Sequence, residues 1–207
     1  MIEFLMESFA KNANRDAVIH EGEVYSYTSL AAAVHTWRQA LEETGGCRNR
    51  VVALEADFSL DSIAALLALV QLRAIIVPLS DSVESQKADF RAISQVEDIV
   101  RIGPDGEWRY EDTGVTANHE LLRKLATEEH PGLILFSSGS TGVNKASVHD
   151  LVPLLEKFKA PRHAYRTIAF LLFDHIGGWN TMLYTLSNGG CLIVTQDRSP
   201  ETVCRLI

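Results

Sequence analysis

The chain has 207 residues, 46% hydrophobic and 22% charged, enough to bury the core of one large or two small domains and too apolar for a disordered tail or a collagen-like repeat. Nineteen Lys and Arg against 27 Asp and Glu leave a net charge of -8, which repels a phosphodiester backbone, and no basic patch offsets it, so nucleic acid is not an expected partner. Three cysteines, Cys47, Cys191 and Cys204, are odd in number and lack Cys-x-x-Cys spacing, which argues against a disulfide framework or a zinc site and for a reducing cytoplasm.

Near the start, Glu3, Glu7, Lys11 and Arg15 interrupt any leader-like pattern, so no export signal is expected. Residues 24–27 read as a strand, and Thr28 as the cap of a helix whose Leu30, Val34, Trp37 and Leu41 recur at helical spacing until Gly45-Gly46. Residues 51–54 read as a strand, 60–72 as a helix apolar nearly all round and therefore buried, and 75–77 as a β-branched strand, together a βαβ unit. The most apolar stretch, 63–79, contains Gln71 and Arg73 and ends at Pro78, so no transmembrane segment is expected.

A polar helix over 83–94 and a strand near 99–102 follow. Pro104-Asp105-Gly106 turns the chain toward Trp108 and Tyr110, and 111–118 reads as loop. A short helix at 121–126 precedes a strand at 133–136. Beyond residue 150 the pattern gives helices at 151–158 and 179–186 and strands at 168–172 and 192–195. Ser199, Pro200 and Glu201 open a last helix, which reaches Leu206-Ile207 without Gly, a basic last turn or a polar tail and is expected to be cut short. This alternation predicts an α/β fold with layered, mainly parallel sheets flanked by helices.

The strand at 133–136 runs straight into Ser137-Ser138-Gly139-Ser140-Thr141-Gly142, with Lys145 at the far edge. Glycines let a backbone approach phosphate closely, amides and hydroxyls donate to its oxygens, and a lysine adds positive charge. The spacing is not that of a Walker A loop, which needs lysine directly after its second glycine, and a Ser/Gly cluster in isolation marks a surface turn.

The residues Leu-Phe-Ser-Ser-Gly-Ser-Thr-Gly-Val-Asn-Lys that end at Lys145 resemble the phosphate-binding signature of the AMP-forming acyl-CoA synthetases and their relatives, the peptide-synthetase adenylation domains and luciferases. The likeness extends over nearly the whole chain. Arg15-Asp16-Ala17-Val18 with Tyr25-Ser26-Tyr27-Thr28-Ser29-Leu30 is similar to the opening of that superfamily, and Ala64-Ala65-Leu66-Leu67-Ala68-Leu69 leading to Val77-Pro78-Leu79 to its first helix and strand. Phe173-Asp174-His175-Ile176-Gly177-Gly178 resembles its His-containing segment, followed by Leu186-Ser187-Asn188-Gly189-Gly190. Two positions depart from the pattern: Asn144 stands where proline is common, which leaves the loop less stiff, and Ala146 where glycine is common.

The resemblance implies that residues 1–207 are an incomplete N-terminal AMP-binding domain, with a division into lobes 1–130 and 131–207 open and the C-terminal domain absent. It implies a two-step reaction. A carboxylic acid attacks the α-phosphate of ATP, pyrophosphate leaves, and a thiol, coenzyme A or that of a carrier protein, then displaces AMP. Ser137, Ser138, Gly139, Ser140, Thr141, Gly142 and Lys145 would hold the phosphates, with Mg2+ bound mainly through those phosphates and no protein metal site. His175 would stand at the wall between acid and nucleotide as the catalytic candidate, or else be a hydrogen-bonded residue at a strand end. Trp179 would line the acyl pocket or, as its apolar helix suggests, pack in the core.

The remaining histidines show no metal-ligand spacing, and Ser138 and Ser140 do not form a hydrolase elbow. The adenine, ribose and catalytic-lysine segments of that superfamily do not occur before Ile207, so the chain by itself is expected to be inactive, with fatty or other apolar acids the preferred substrates of the parent. A free-standing, noncatalytic binding or assembly module, with a separate polypeptide supplying the rest, is the alternative.

Overall fold

The computed structural model describes residues 2–138, 144–195 and 197–206. Helix α1 (Glu3–Lys11) leads to an antiparallel pair, β1 (Asp16–His20) and β2 (Glu23–Ser26), and then to α2 (Tyr27–Glu43). The strand β3 (Val51–Glu55), the helix α3 (Leu60–Gln71) and the strand β4 (Ile75–Leu79) form the expected parallel βαβ unit. A 3-10 segment, Asp81–Gln86, precedes α4 (Lys87–Ser94), β5 (Asp98–Ile102), β6 (Trp108–Asp112) and α5 (Glu120–Glu128). Next come the hairpin strands β7 (Gly132–Ser138) and β8 (Asn144–Asp150), then α6 (Leu151–Glu156), β9 (Arg166–Ile168), α7 (Ile176–Ser187), β10 (Cys191–Val194) and α8 (Pro200–Leu206).

These strands make two mainly parallel sheets. One has the order β6-β5-β3-β4-β7-β8, parallel inside and closed at each edge by an antiparallel partner. The other has the order β2-β1-β10-β9, with β2 its antiparallel edge. Both sheets draw strands from both sides of residue 130, because β1 pairs with β10 and β4 with β7.

Burial explains the strand sequences. In β3, Val52 and Leu54 face a core shared with α2, α3 and α7, while Val51 and Ala53 face a second core with Phe90 of α4 and Leu122 and Leu125 of α5. A strand covered on both faces reads as a continuous apolar run. Helix α3 is buried from Ser62 to Val70 without a break, as its all-round apolarity predicts, and Trp37 Nε1 of α2 donates to Asp61 Oδ1 at its first turn over 2.8 Å. No helix among the described residues is long and apolar enough to cross a membrane.

Several sequence expectations are corrected. The cap of α2 is Ser26, whose Oγ accepts from the Ser29 N–H at 3.1 Å, whereas the Thr28 hydroxyl donates to Ala13 O. Tyr27 belongs to the helix and the core: its ring packs on Phe9, and its hydroxyl donates to Gly190 O at 2.7 Å. The helix expected over 83–94 starts as the 3-10 segment and becomes α-helical only at Lys87. The strand expected at 168–172 ends at Ile168, and β6 runs into the stretch read as loop from 111. Arg205 does stand in the last turn of α8.

Burial pushes the Cys47 thiol up to about 12, with the nearby Asp98 carboxylate adding to the effect, and it raises the Tyr27 phenol well above its ordinary value. Unfolded, a thiol ionises from about pH 8.5 and a phenol from about pH 10, so above these values the unfolded chain releases protons that the folded one keeps. The stability tied to these groups is therefore whole below about pH 8.5 and is lost as pH rises toward 12. Urea midpoints are expected to hold up to about pH 8.5 and then fall steadily. Burial also makes Cys47 and Cys191 inert, so a disulfide-exchange reagent at about pH 8 should titrate Cys204 alone in the folded protein and all three thiols in denaturant. Fast reaction of a second native thiol would show that one buried site opens.

Candidate active site

The β7–β8 hairpin carries the hydroxyl-rich motif. Strand β7 begins apolar and buried through Leu133, Ile134 and Leu135, then turns polar at Ser137, where it leaves the core. The antiparallel register sets Ser137 opposite Lys145 and Ser138 opposite Asn144. Directly opposed residues share a face, so Ser137 and Lys145, both exposed, stand side by side at the hairpin end. Gly139, Ser140, Thr141 and Gly142 lie outside the described residues.

Beneath this end is a cavity of about 140 Å³ at the C-terminal ends of β4 and β7. Its apolar walls are Pro78, Leu79, Val83, Phe90 and Phe136, and its polar rim is Gln86, Ser137, Asn144, Asp174 and His175. Phe90 and Phe136 stack at 3.9 Å with their planes 4° apart, which fixes α4 against the hairpin. In open parallel sheets this is the end where ligands bind.

His175 is the residue before α7, with an extended backbone and a side chain 62% exposed that makes no capping bond. In the first turn of α7 the Gly178 N–H donates to His175 O at 3.0 Å, while no side chain caps the Ile176 and Gly177 amides, an environment favourable to an anion. Next to it, Asp174 is buried at 9% exposure. Its Oδ2 accepts from Ser80 Oγ and, at 3.4 Å, from Ser82 Oγ, while its Oδ1 has no hydrogen-bond partner among the described residues. Such an oxygen costs free energy unless a donor meets it. The sequence reading singled out His175 and passed over Asp174. The available signal was a carboxylate that directly follows the apolar run Leu171-Leu172-Phe173, two residues before α7 begins.

Gly178 makes this junction possible. A Cβ there would lie 2.0 Å from Leu172 O, a clash with backbone that no rotamer relieves. Trp179 is 1% exposed, belongs to the core and does not line the cavity, the second of the two placements its sequence allowed.

A larger cleft, about 470 Å³, holds none of the expected site residues. Glu21, Glu23, Asp57, Asp61, Asp81 and Asp105 line it, so its field opposes a polyphosphate, and chemistry favours the smaller cavity despite its size.

The N-terminal subdomain of NpsA from Klebsiella oxytoca, in complex with 3-hydroxyanthranilyl-AMSN, is similar with a TM-score of 0.74 at 19% identity, over 98% of this chain and 56% of that one. The inhibitor-bound N-terminal domain of FACL13 from Mycobacterium tuberculosis gives a TM-score of 0.78 at 16% identity, over 99% of this chain and 59% of that one. In sequence, the hybrid PKS-NRPS synthetase iccA of Talaromyces variabilis is 23% identical over 229 residues, 98% of this chain. The chain spans 6% of the length of that relative. No family model matches.

The fold is that of the N-terminal subdomains of adenylate-forming enzymes, and the resemblance read from the motifs, to the N-terminal portion of that superfamily, agrees with it.

Proposed function

We propose that this chain is the N-terminal portion of an AMP-forming ligase that activates a small carboxylic acid with ATP and passes it to a thiol. The observation that carries the reading is the adjacency of the exposed Ser137–Lys145 pair to a cavity whose rim holds Asp174, His175 and the start of α7.

On this reading the acid's body lies in the cavity against the stacked Phe90 and Phe136 and beside Leu79 and Val83, and its carboxylate turns toward the α7 terminus, where backbone amides and His175 orient one oxygen toward the α-phosphate. The P–O bond forms from that oxygen as the bond to pyrophosphate breaks, and the departing charge falls to Ser137, Ser138, Lys145 and the intervening loop. Mg2+ would be held through the phosphates and would share that charge. Asp174 Oδ1, with no hydrogen bond among the described residues and only the exposed His175 ring at 3.9 Å, favours an acid that carries its own amino or hydroxyl donor over a plain fatty acid. Likeness to a hybrid PKS-NRPS synthetase favours a carrier-protein thiol over coenzyme A as acceptor.

The surface supports a portion of a larger domain over a free-standing module. Tyr165, Phe170, Leu171 and Ile176 stand 53%, 57%, 48% and 41% exposed along one stretch of chain, an apolar surface suited to packing against further polypeptide.

The test is acid-dependent ATP–pyrophosphate exchange, run on the isolated 207-residue chain and on the polypeptide that carries it in the cell, identified by immunoblot mass. Exchange by the longer polypeptide is expected, stronger with amino- or hydroxy-acids than with unsubstituted acids of equal size, and none by the chain alone. Robust exchange by the isolated chain would overturn the assignment as a portion. A longer polypeptide that never exchanges would overturn the ligase.

A further inference from the structure

The end of the β7–β8 hairpin remote from Ser137 sets Gly132, the first residue of β7, opposite Asp150, the last of β8. Helix α5 terminates beside it. Glu128 is its final residue, Glu129 turns the chain with φ 53°, and the His130 N–H donates to Leu125 O at 2.9 Å, which closes the helix end and brings His130 back toward Asp150. His130 Nδ1 is 2.9 Å from Asp150 Oδ2 and 3.8 Å from Glu128 Oε2, and the three ligand atoms all lie within 4.8 Å of one another. The other Asp150 oxygen accepts from the Val152 N–H at 2.8 Å as the cap of α6, so the carboxylate is held with one oxygen free to face His130.

We propose that Glu128, His130 and Asp150 form a binding site for a divalent transition-metal ion. Two carboxylates carry the charge that offsets a dication, and an imidazole nitrogen selects Zn2+, Co2+ or Ni2+ over Mg2+ and Ca2+. Ligand bonds of about 2.1 Å place adjacent ligands about 3.0–3.4 Å apart, close to the His130–Asp150 spacing already present. Glu128 is the freest of the three, 42% exposed, and a rotation of its side chain closes the remaining distance. His130 and Asp150 are about one-third exposed, which leaves room for water to complete the coordination. A hydrogen-bonded His–Asp pair alone would not use Glu128. Bound metal would pin the end of α5 to the base of the hairpin whose other end bears Ser137 and Lys145. The site is separate from the cavity and stands whether or not the ligase reading holds.

The test titrates the metal-stripped 207-residue chain with Zn2+ by calorimetry and with Co2+ by visible absorption, beside the variants E128Q, H130A and D150N. The D150N side chain keeps an oxygen for the α6 cap, and E128Q changes an exposed side chain, so urea midpoints of the metal-free proteins separate folding from binding. One equivalent of Zn2+ is expected, with affinity lowered about tenfold in E128Q and about a hundredfold in H130A and D150N, since loss of a neighbour that merely supports a ligand already costs about 10–100-fold. The Co2+ band should vanish in H130A, and Mg2+ should not compete. No Zn2+ uptake, or uptake unchanged in E128Q or in H130A, as when the exposed Cys204 holds the ion instead, overturns the site.

Discussion

Asp98→Ala is expected to lower the unfolding free energy by about 3–5 kcal/mol, a large share of the roughly 5–15 kcal/mol typical of a domain. Asp98 is fully buried and accepts four hydrogen bonds. Its Oδ2 takes the Arg50 Nε–H at 2.7 Å and the Cys47 N–H at 2.9 Å, and its Oδ1 takes the Tyr110 hydroxyl at 2.8 Å and the Arg50 Nη2–H at 3.0 Å. One carboxylate thus ties the turn after α2, the start of β3 and the edge strand β6 to β5. Alanine would leave the Tyr110 phenol and the Cys47 amide without their acceptor and the Arg50 guanidinium with only its longer bonds to Glu97 O and Asp112 Oδ1, and that loss sets the size of the effect. Gly46 belongs to the same unit, because a Cβ there would lie 2.2 Å from the Tyr110 oxygen. Urea unfolding with an unchanged m-value and a lowered midpoint is the expected result. Asp98→Asn, which keeps the shape and half of the acceptors, should fall between wild type and alanine. A loss below about 1 kcal/mol in the alanine variant would mean that water enters and replaces the carboxylate.

This network was invisible in the sequence. Arg50 and Asp98 are 48 positions apart and Tyr110 follows 12 later, so only the pairing of β5 with β3 and β6 brings them together. Glu55 is similar: it receives Arg91 and Arg101, which lie 36 and 46 positions further on. Each of these residues, read alone, is one charge among many. Position along the chain carries no information on partners that sheet topology chooses.

What was legible followed from periodicity and apolar runs. Strands β3, β4 and β10 and helix α3 are apolar because both faces are covered, and all were anticipated to within a residue or two. The edge strand β2 was also anticipated to within a residue, but β8, β1 and α1 were not. Strand β8, Asn-Lys-Ala-Ser-Val-His-Asp, is exposed or half-exposed throughout and lacks alternation, and its ladder to β7, rather than its side chains, makes it a strand. Strand β1 was hidden because only Ala17 and Val18 of its five residues are buried, and α1 by charged residues that leave only Leu5 and Phe9 to mark its buried face. Of the candidate site, Ser137 and Lys145 were singled out by composition, and the register sets them opposite each other. Asp174 was not, because its distinguishing property is an unpaired oxygen at a cavity rim.

Lys145→Ala, made in the polypeptide that performs acid-dependent exchange, is expected to lower kcat/KM for ATP by about 10²–10³, or about 2.7–4 kcal/mol of transition-state stabilisation. Lys145 lies exposed on β8 opposite Ser137 and has no ion pair with any described residue. Removing it should therefore change stability by less than about 0.5 kcal/mol, so lost activity cannot be lost fold. How the loss divides between kcat and KM reports the role. A lysine that meets phosphate charge only as pyrophosphate departs lowers kcat with KM nearly unchanged, whereas one that merely holds ATP raises KM. Lys145→Arg keeps the charge but presents a planar fork in place of a compact ammonium, and it should recover part of the rate. If both variants stay within about threefold of wild type, the charge of the hairpin end plays no part in the chemistry. The phosphates would then have to be met elsewhere, and the acidic lining of the larger cleft makes that a poor substitute.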